Sequence, residues 1–427
     1  MIPWSKGTRA SAYASLVVTF AHCGVAELPA PQTTIRDSAG IRIVTSGSAR
    51  EDGWSLAAQP VLVLSGPPGD SAQHLDVVVA AAYLNDGRMV VANRIPPMLR
   101  WYDASGRYQH GTGRVGSGPG DFGGEGMGVT GMWRIPGDSI AAWDALQQRI
   151  QVFEPAGRYV RGFRLNAPPS PARLFAPHVV GFLANGAVIA GVNLSAAPGQ
   201  GTDRWRDLVF YQQWSATGHY ESGLAELPGL EIYTPSFQQR NQPGGMAVPG
   251  GHPPPPAPLP PFAREASAAT GGDRLYYADA DHYEISIHDG VAAPGVIIRR
   301  ETPRRAVTSA LRESYAREML GPVRSALRTD FQRWLKVAVY PDSLPAYQRI
   351  EVADGGNVWA QEYQAPEADT LTWSIFQADG AWLANIQVPA RLRVLHVGGD
   401  NVLALSRNEL DVESVHVYRL IRPSQRR

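Results

Sequence analysis

The sequence has one cysteine, no net charge and no apolar run long enough to span a membrane. The lone Cys23 excludes a framework of internal disulfides. Basic and acidic residues number 39 each, which argues against nucleic acid as a partner, because such surfaces usually carry a basic excess. The mostly apolar stretch at residues 10–21 is too short for a spanning helix. A lipid anchor is therefore the only membrane attachment that we expect.

Recognisable catalytic motifs are also missing. The sequence has no cysteine nucleophile motif, no Gly-x-Ser-x-Gly turn and no His-Glu-x-x-His zinc helix. The ten histidines are scattered, with His178 and His396 predicted on inner strands, where a single histidine is usually structural. We assign no catalytic residue.

Glycine (44) and proline (35) are abundant, and a pattern of strands and turns returns six times. The first copy has strands at 77–84, 88–93, 99–103 and 107–111, with a turn at Asn85-Asp86-Gly87. Four short strands are the content of one propeller blade. The first tight turns of the other copies are Gly137-Asp138, Asn185-Gly186, Gly272-Asp273, Gly355-Gly356 and Gly399-Asp400. The predicted fold is an all-β, six-bladed propeller of four-stranded antiparallel blades over residues 54–421.

The last copy ends after three strands, at Leu420. An open strand edge would leave backbone groups unpaired. Residues 60–66 have no blade of their own, so we predict that they pair with residues 414–420 and close the ring.

Two insertions interrupt the blade-to-blade loops. Residues 227–261 are predicted to be a proline-rich loop. Residues 307–339 carry apolar residues, among them Trp334, at steps of mostly three or four, which predicts a helix pair broken at Gly321-Pro322. A helical hairpin in this place would act as a lid over the channel mouth.

The N-terminus predicts export. Lys6 and Arg9 precede the apolar stretch, as in a secretory signal at residues 1–23. Cys23 follows it, where bacterial lipoproteins are lipidated, although Phe20-Ala21-His22 departs from the usual lipobox. The alternative is an unprocessed N-terminus. Residues 24–53 are predicted to be a tether and N-terminal extension, and the expected location is the periplasm or cell envelope.

The six aligned positions at the ends of the second strands carry Asn, Asp or Glu in four blades: Asn93, Asp144, Asp279 and Glu362. His282, Tyr363 and Arg407 lie beside them. One interpretation is that these side chains bond backbone groups of a neighbouring loop. The other is a ligand-binding ring at the channel mouth, which could hold polar groups or a divalent cation such as calcium.

Residues 113–122, reading GRVGSGPGDF, are close to the G-x-G-x-G-P-G-[QE]-F inter-blade motif of NHL-type propellers. Segments 37–41, 86–88 and 343–347 add to this likeness. The chain thus resembles bacterial exported six-bladed propellers of the NHL-repeat-like type. The resemblance implies the fold and export but leaves the activity open.

Two functions remain open at this point. The first is a noncatalytic, monomeric, exported protein that binds a peptide, glycan or protein at the lid-covered mouth. The second is a metal-assisted hydrolase or lyase, as in gluconolactonase-like and amidating-lyase-like propellers. Convergence of three or more carboxylates or histidines on one point would favour the enzyme.

Overall fold

Tight hairpin turns divide the chain into short strands in the computed structural model of the protein. At the first of these turns, the Leu84 amide donates to the Arg88 carbonyl at 2.8 Å, and the Gly87 amide donates to the Leu84 carbonyl at 3.0 Å. Gly87 has φ of +84°, which L side chains rarely adopt. The structure describes residues 33–51, 53–64, 75–124, 128–166, 177–194, 204–233, 260–290, 293–321, 323, 328–329, 332–333, 335–336, 338–364 and 368–423.

The strands form six antiparallel blades, preceded by four short N-terminal strands, and this confirms the predicted propeller. The N-terminal strands are β1 (Thr34–Ser38), β2 (Ile41–Ser46), β3 (Ser55–Leu56) and β4 (Leu62–Leu64). Blades I to III comprise β5 (Val78–Tyr83), β6 (Met89–Arg94), β7 (Pro97–Tyr102), β8 (Tyr108–Thr112), β9 (Val129–Ile135), β10 (Ser139–Asp144), β11 (Arg149–Phe153), β12 (Tyr159–Phe163), β13 (His178–Phe182), β14 (Val188–Leu194), β15 (Arg204–Trp214) and β16 (Tyr220–Tyr233). Blades IV to VI comprise β17 (Ser267–Gly271), β18 (Arg274–Ala278), β19 (Glu284–His288), β20 (Val296–Arg300), β21 (Tyr347–Val352), β22 (Val358–Glu362), β23 (Thr370–Phe376), β24 (Trp382–Pro389), β25 (Leu392–Gly398), β26 (Asn401–Arg407) and β27 (Glu413–Ile421).

The second strand of each blade is buried on both faces, which explains its nearly continuous apolar sequence. In β6, Met89 and Val91 pack into the interface with blade VI, whereas Val90 and Ala92 pack into the interface with blade II. Successive side chains of a strand point to opposite faces, so one strand supplies two cores. Each of the six blade interfaces holds one such apolar cluster.

The ring closes through the N-terminal strand β4, as predicted. Leu62, Val63 and Leu64 pair antiparallel with β27, with Leu64 opposite Val415. Strand β3 adds a second pairing near the end of the same strand, with Leu56 opposite Leu420. The last blade thus takes its outer strand from the start of the chain.

Strands β1 and β2 form a hairpin that extends blade IV to six strands. β2 pairs in parallel with β20, from Arg42 opposite Val296 to Ser46 opposite Arg300. β1 then pairs antiparallel with β2 across the turn at Ala39-Gly40. Residues 34–46 of the predicted N-terminal extension therefore belong to the sheet.

A single regular helix, α1 (Ser309–Leu320), lies in the described part of the second insertion, and residues 328–329, 332–333 and 335–336 are also helical. The Thr308 side chain caps α1 by accepting from the Leu311 amide. Tyr315 of α1 packs on Phe262 with ring centroids 4.9 Å apart, and Phe262 also contacts Tyr363. Since Tyr363 directly follows β22, α1 lies on the face where second strands end. We call this the helix face, and the opposite one, with the first-to-second-strand turns, the hairpin face.

The first insertion begins later along the chain than the sequence suggested. Residues 227–233 continue β16, because β15 and β16 stay paired as far as Arg204 opposite Tyr233. Residues 234–259 of the predicted proline-rich loop lie outside the described residues.

Candidate functional site

The inner strands of all six blades surround a central channel. Its main cavity has a volume of about 780 Å³ and extends to the turns of the hairpin face, where Asn85, Asp138 and Asp354 line it. Trp133 and Phe182 add aromatic surface, with ring centroids 5.6 Å apart.

A second cavity of about 420 Å³ lies at the helix-face end of the channel. The starts of three inner strands in blades IV to VI form it, together with β22 and β23; we call it the mouth pocket. Ser267 and Arg349 line both cavities. The polar side chains of the mouth pocket are Glu265, Ser267, Gln348, Arg349, Gln361 and Arg393.

Two of the predicted ring residues, Asn93 and Asp144, are fully buried and bond backbone groups. The Asn93 side chain accepts from the Asp76 amide at 2.7 Å and donates to the carbonyls of Ile95 and Pro96. Asp144 accepts from the amides of Gly123 at 2.7 Å and Gln147 at 2.9 Å. These bonds correspond to the structural interpretation, because they tie the incoming loop to the blade.

Asp279 and His282 lie in the loop after β18, where they meet further charges. Asp279 accepts from the amides of Asp281 and His282. Asp281 binds the Nε of Arg264 at 2.7 Å, and His282 Nε2 lies 2.6 Å from Arg304. Asp281 is thus paired with arginine and Asp279 with backbone amides, so both carboxylates of this loop already have partners within the protein.

Glu362 and Tyr363 face the interface between blades IV and V. Glu362 accepts from the buried guanidinium of Arg300 at 2.5 Å and from the Ser374 hydroxyl at 2.9 Å. Arg300 also lies over the Trp382 ring, 3.9 Å from its centroid. Burial raises the pKa of Tyr363 to about 12, so its hydroxyl is protonated at neutral pH.

The remaining predicted site residues do not complete a ring. Arg407 pairs with the buried Glu413, whose other oxygen accepts from the Val78 amide at 2.5 Å. Within the described residues, no hydrogen bond or ion pair joins Asn93, Asp144, Asp279 and Glu362 to one another. Trp334 and Cys23 lie outside the described residues.

Among the described residues, no three histidines, cysteines, aspartates or glutamates come together so as to hold a metal ion. The carboxylates at the helix face bond amides, hydroxyls or arginines, as shown above.

The arginines of the mouth pocket are functional candidates that the sequence reasoning missed. Arg349 Nη2 donates to the Val394 carbonyl at 2.7 Å, and its guanidinium lies 5.1 Å from the centroid of the Trp373 ring. Arg393 Nη2 donates to the Val78 carbonyl. Both residues are on inner strands, whereas the search from sequence followed the ends of second strands.

A second missed feature is a charged bridge near the hairpin face. Arg134 of blade II forms an ion pair with Asp354 of blade V at 3.0 Å, and these two blades are opposite in the ring. Asp354 also contacts His396 Nε2 at 3.2 Å, and Arg134 donates to Asn85 at 2.7 Å. This chain of contacts links opposite sides of the channel.

The bridge predicts a pH dependence of stability. Burial raises the pKa of Asp354, but the hydrogen bonds and charges of His396 and Arg134 outweigh burial and hold it below the usual value. A carboxyl with a lowered pKa in the folded state stabilises that state above its unfolded pKa, and the benefit disappears as the pH falls through the folded value. Asp354→Asn is expected to cost about 1–2 kcal/mol at pH 7. That cost should shrink below about pH 4.

Urea unfolding at pH 7, 5, 4 and 3 measures this difference. Asp273→Asn is the control, since Asp273 is exposed in the corresponding turn of blade IV. A cost for Asp354→Asn that stays constant down to pH 3 would show that the ionised carboxylate does not stabilise the bridge.

No helix among the described residues has the length and apolar character needed to cross a membrane. The one regular α-helix that is described, α1, belongs to the insertion on the helix face.

No protein-family model matches the sequence, and no curated protein shows significant similarity to it. Solved structures match in fold. A Bacteroides fragilis protein inferred to be exported is 11% identical, with 89% of this chain and 100% of that chain covered and a TM-score of 0.45. A DUF4221 family member from Bacteroides vulgatus is 10% identical, with 86% and 100% covered and a TM-score of 0.48. A catalytically inactive variant of virginiamycin B lyase from Staphylococcus aureus, with quinupristin, is 11% identical, with 84% and 99% covered and a TM-score of 0.38. Similarity at this level concerns the fold alone.

Proposed function

We propose that this protein is an exported, noncatalytic propeller that binds a peptide, glycan or protein group at the channel mouth on the helix face. The observation that carries this proposal is the mouth pocket, whose volume of about 420 Å³ is within the range of ligand sites. Arg349, Gln361 and Arg393 line it from separate strands. Such convergence of polar groups on a concavity is typical of binding sites.

Helix α1 supports the placement of the site on this face. Its Tyr315 packs with Phe262, which in turn contacts Tyr363, two residues beyond the pocket residue Gln361. The insertion is thus anchored close to the pocket, where it would cover a bound ligand as a lid. Export is supported by the basic residues, the short apolar stretch and Cys23 at the N-terminus.

No specific observation favours the metal-assisted enzyme. That function needs several carboxylates or histidines around one open point. Asp144, Asp281, Glu362 and Glu413 instead bond arginines, a hydroxyl and backbone amides. The binding function needs no further group than those lining the mouth pocket.

Filling the mouth pocket tests the proposal. Ala390 lines the pocket and is exposed, so Ala390→Trp should obstruct the mouth without entering the core. The matched control is Ala378→Trp, which places the same side chain in an exposed turn of the same blade. We expect wild type and Ala378→Trp to bind the same members of an oligosaccharide and tripeptide array, and Ala390→Trp to lose them. Equal binding by all three proteins, or binding by none, would contradict the proposal.

A further inference from the structure

The mouth pocket has an excess of positive charge. Its lining includes two arginines, Arg349 and Arg393, and one carboxylate, Glu265. The two arginines come from adjacent inner strands, β21 and β25. A cavity that concentrates guanidinium groups attracts anions, since each guanidinium presents donors in a fork that matches a carboxylate.

Both guanidiniums keep donors for a ligand. Arg349 donates through Nη2 to the Val394 carbonyl, and its buried Nε faces Glu351 Oε1 at 3.7 Å, so the remaining Nη hydrogens are the donors that a ligand could use. Arg393 donates to the Val78 carbonyl, but a guanidinium has five donors. Burial, followed by the like charge of Arg349, lowers the pKa of Arg393. An anion between the two arginines would relieve that repulsion.

The other side chains of the pocket suit hydroxyl groups. Gln361 Nε2 donates to Gln348 Oε1 at 2.9 Å, which leaves the Gln361 oxygen and the Gln348 amino group for a ligand. The Gln361 oxygen can therefore accept from a hydroxyl, and the Gln348 amino group can donate to one. Leu371, which is partly buried, adds apolar surface on which the C–H face of a sugar ring can pack.

We infer that the mouth pocket binds an acidic saccharide, with the sugar carboxylate held between Arg349 and Arg393 and ring hydroxyls bonded to Gln348 and Gln361. This inference rests on the proposed binding function and gives its ligand class. A neutral sugar lacks the carboxylate that would pair with the two arginines. A simple carboxylate lacks the hydroxyls that would form hydrogen bonds with Gln348 and Gln361.

Calorimetry of the full chain with four probes tests this inference: glucuronate, glucose, propionate and the tripeptide Gly-Glu-Gly. We expect glucuronate to bind best, and its affinity to fall with added salt because the contact is ionic. Arg393→Gln should weaken glucuronate binding about 10- to 100-fold, the loss expected for hydrogen bonds to a charged group. Arg393→Lys should give an intermediate loss, because it keeps the charge but not the fork.

The control is Arg419→Gln, which removes the same charge from an exposed position on β27 and should leave the affinity unchanged. Melting temperatures of all variants would separate lost binding from lost folding. Equal affinities for glucose and glucuronate, or tighter binding of propionate or Gly-Glu-Gly, would overturn the acidic saccharide. If Ala390→Trp nevertheless lost the array ligands, the proposed binding function would stand, but its ligand would not be an acidic saccharide.

Discussion

Leu64→Ala is expected to lower the free energy of unfolding by about 2–5 kcal/mol, because it opens a cavity at the point where the ring closes. Leu64 is fully buried and packs with Val78 of blade I and Val415 of blade VI. It also covers Gly106, where the nearest Leu64 atom is 3.1 Å from the position of an added Cβ. One short strand therefore joins the first and last blades.

Val63→Ala is the matched control within the same three-residue strand. The Val63 side chain is 46% exposed, since alternate residues of a strand point to opposite faces. Its replacement should cost less than about 0.5 kcal/mol, as is usual at the surface. Urea unfolding of both variants measures the difference. Equally small losses would mean that the side chain of Leu64 contributes little and that the strand acts through its backbone pairing.

The closing strand could be predicted from sequence because the last copy of the repeat lacks a fourth strand. Three strands in the last copy leave an unpaired edge, and residues 60–66 have no blade of their own. Middle strands were equally predictable, since burial on both faces produces runs such as Met89–Arg94. In these places, a single physical requirement determines which residues are acceptable.

The pairing of the β1–β2 hairpin with blade IV could not be predicted from sequence. Thr34–Ser38 and Ile41–Ser46 lie in the segment predicted from sequence to be a tether and N-terminal extension. The parallel pairing with β20 places Ser46 where its hydroxyl accepts from the Trp382 amide of the next blade at 3.2 Å. A contact between segments so far apart in the chain produces no recognisable pattern in the sequence of either segment.

The contacts of the predicted site residues could not be derived from the sequence. Repeat alignment led to the polar positions at the helix face, yet it could not tell which carboxylates would meet buried arginines. Glu362 meets Arg300, which is 62 residues away in the chain. Arg349 and Arg393 were missed because an inner-strand arginine has the same sequence signature whether it points into the channel or toward solvent.

A second set of buried charges joins blades III and IV to the insertions. Glu231 is 6% exposed and accepts from Arg204 through both oxygens, each at 2.8 Å. It also accepts from the Arg264 amide at 3.0 Å. Arg204 donates onward to the carbonyls of Val339 and Pro261, so the ends of both insertions depend on this pair. Burial opposes ionisation of Glu231, but the two arginines outweigh it and hold its pKa below the usual value.

Glu231→Gln is therefore expected to cost about 3–5 kcal/mol, because it leaves the charge of Arg204 buried without its partner. Glu226→Gln is the control, since Glu226 is exposed on the same strand and should change stability by less than about 0.5 kcal/mol. The double variant Glu231→Gln with Arg204→Met should recover part of the loss, because both charges are then gone. Urea unfolding of wild type, Glu231→Gln, Arg204→Met and the double variant gives the coupling energy. A double variant less stable than Glu231→Gln alone would show that Arg204 stabilises the fold mainly through Val339 and Pro261.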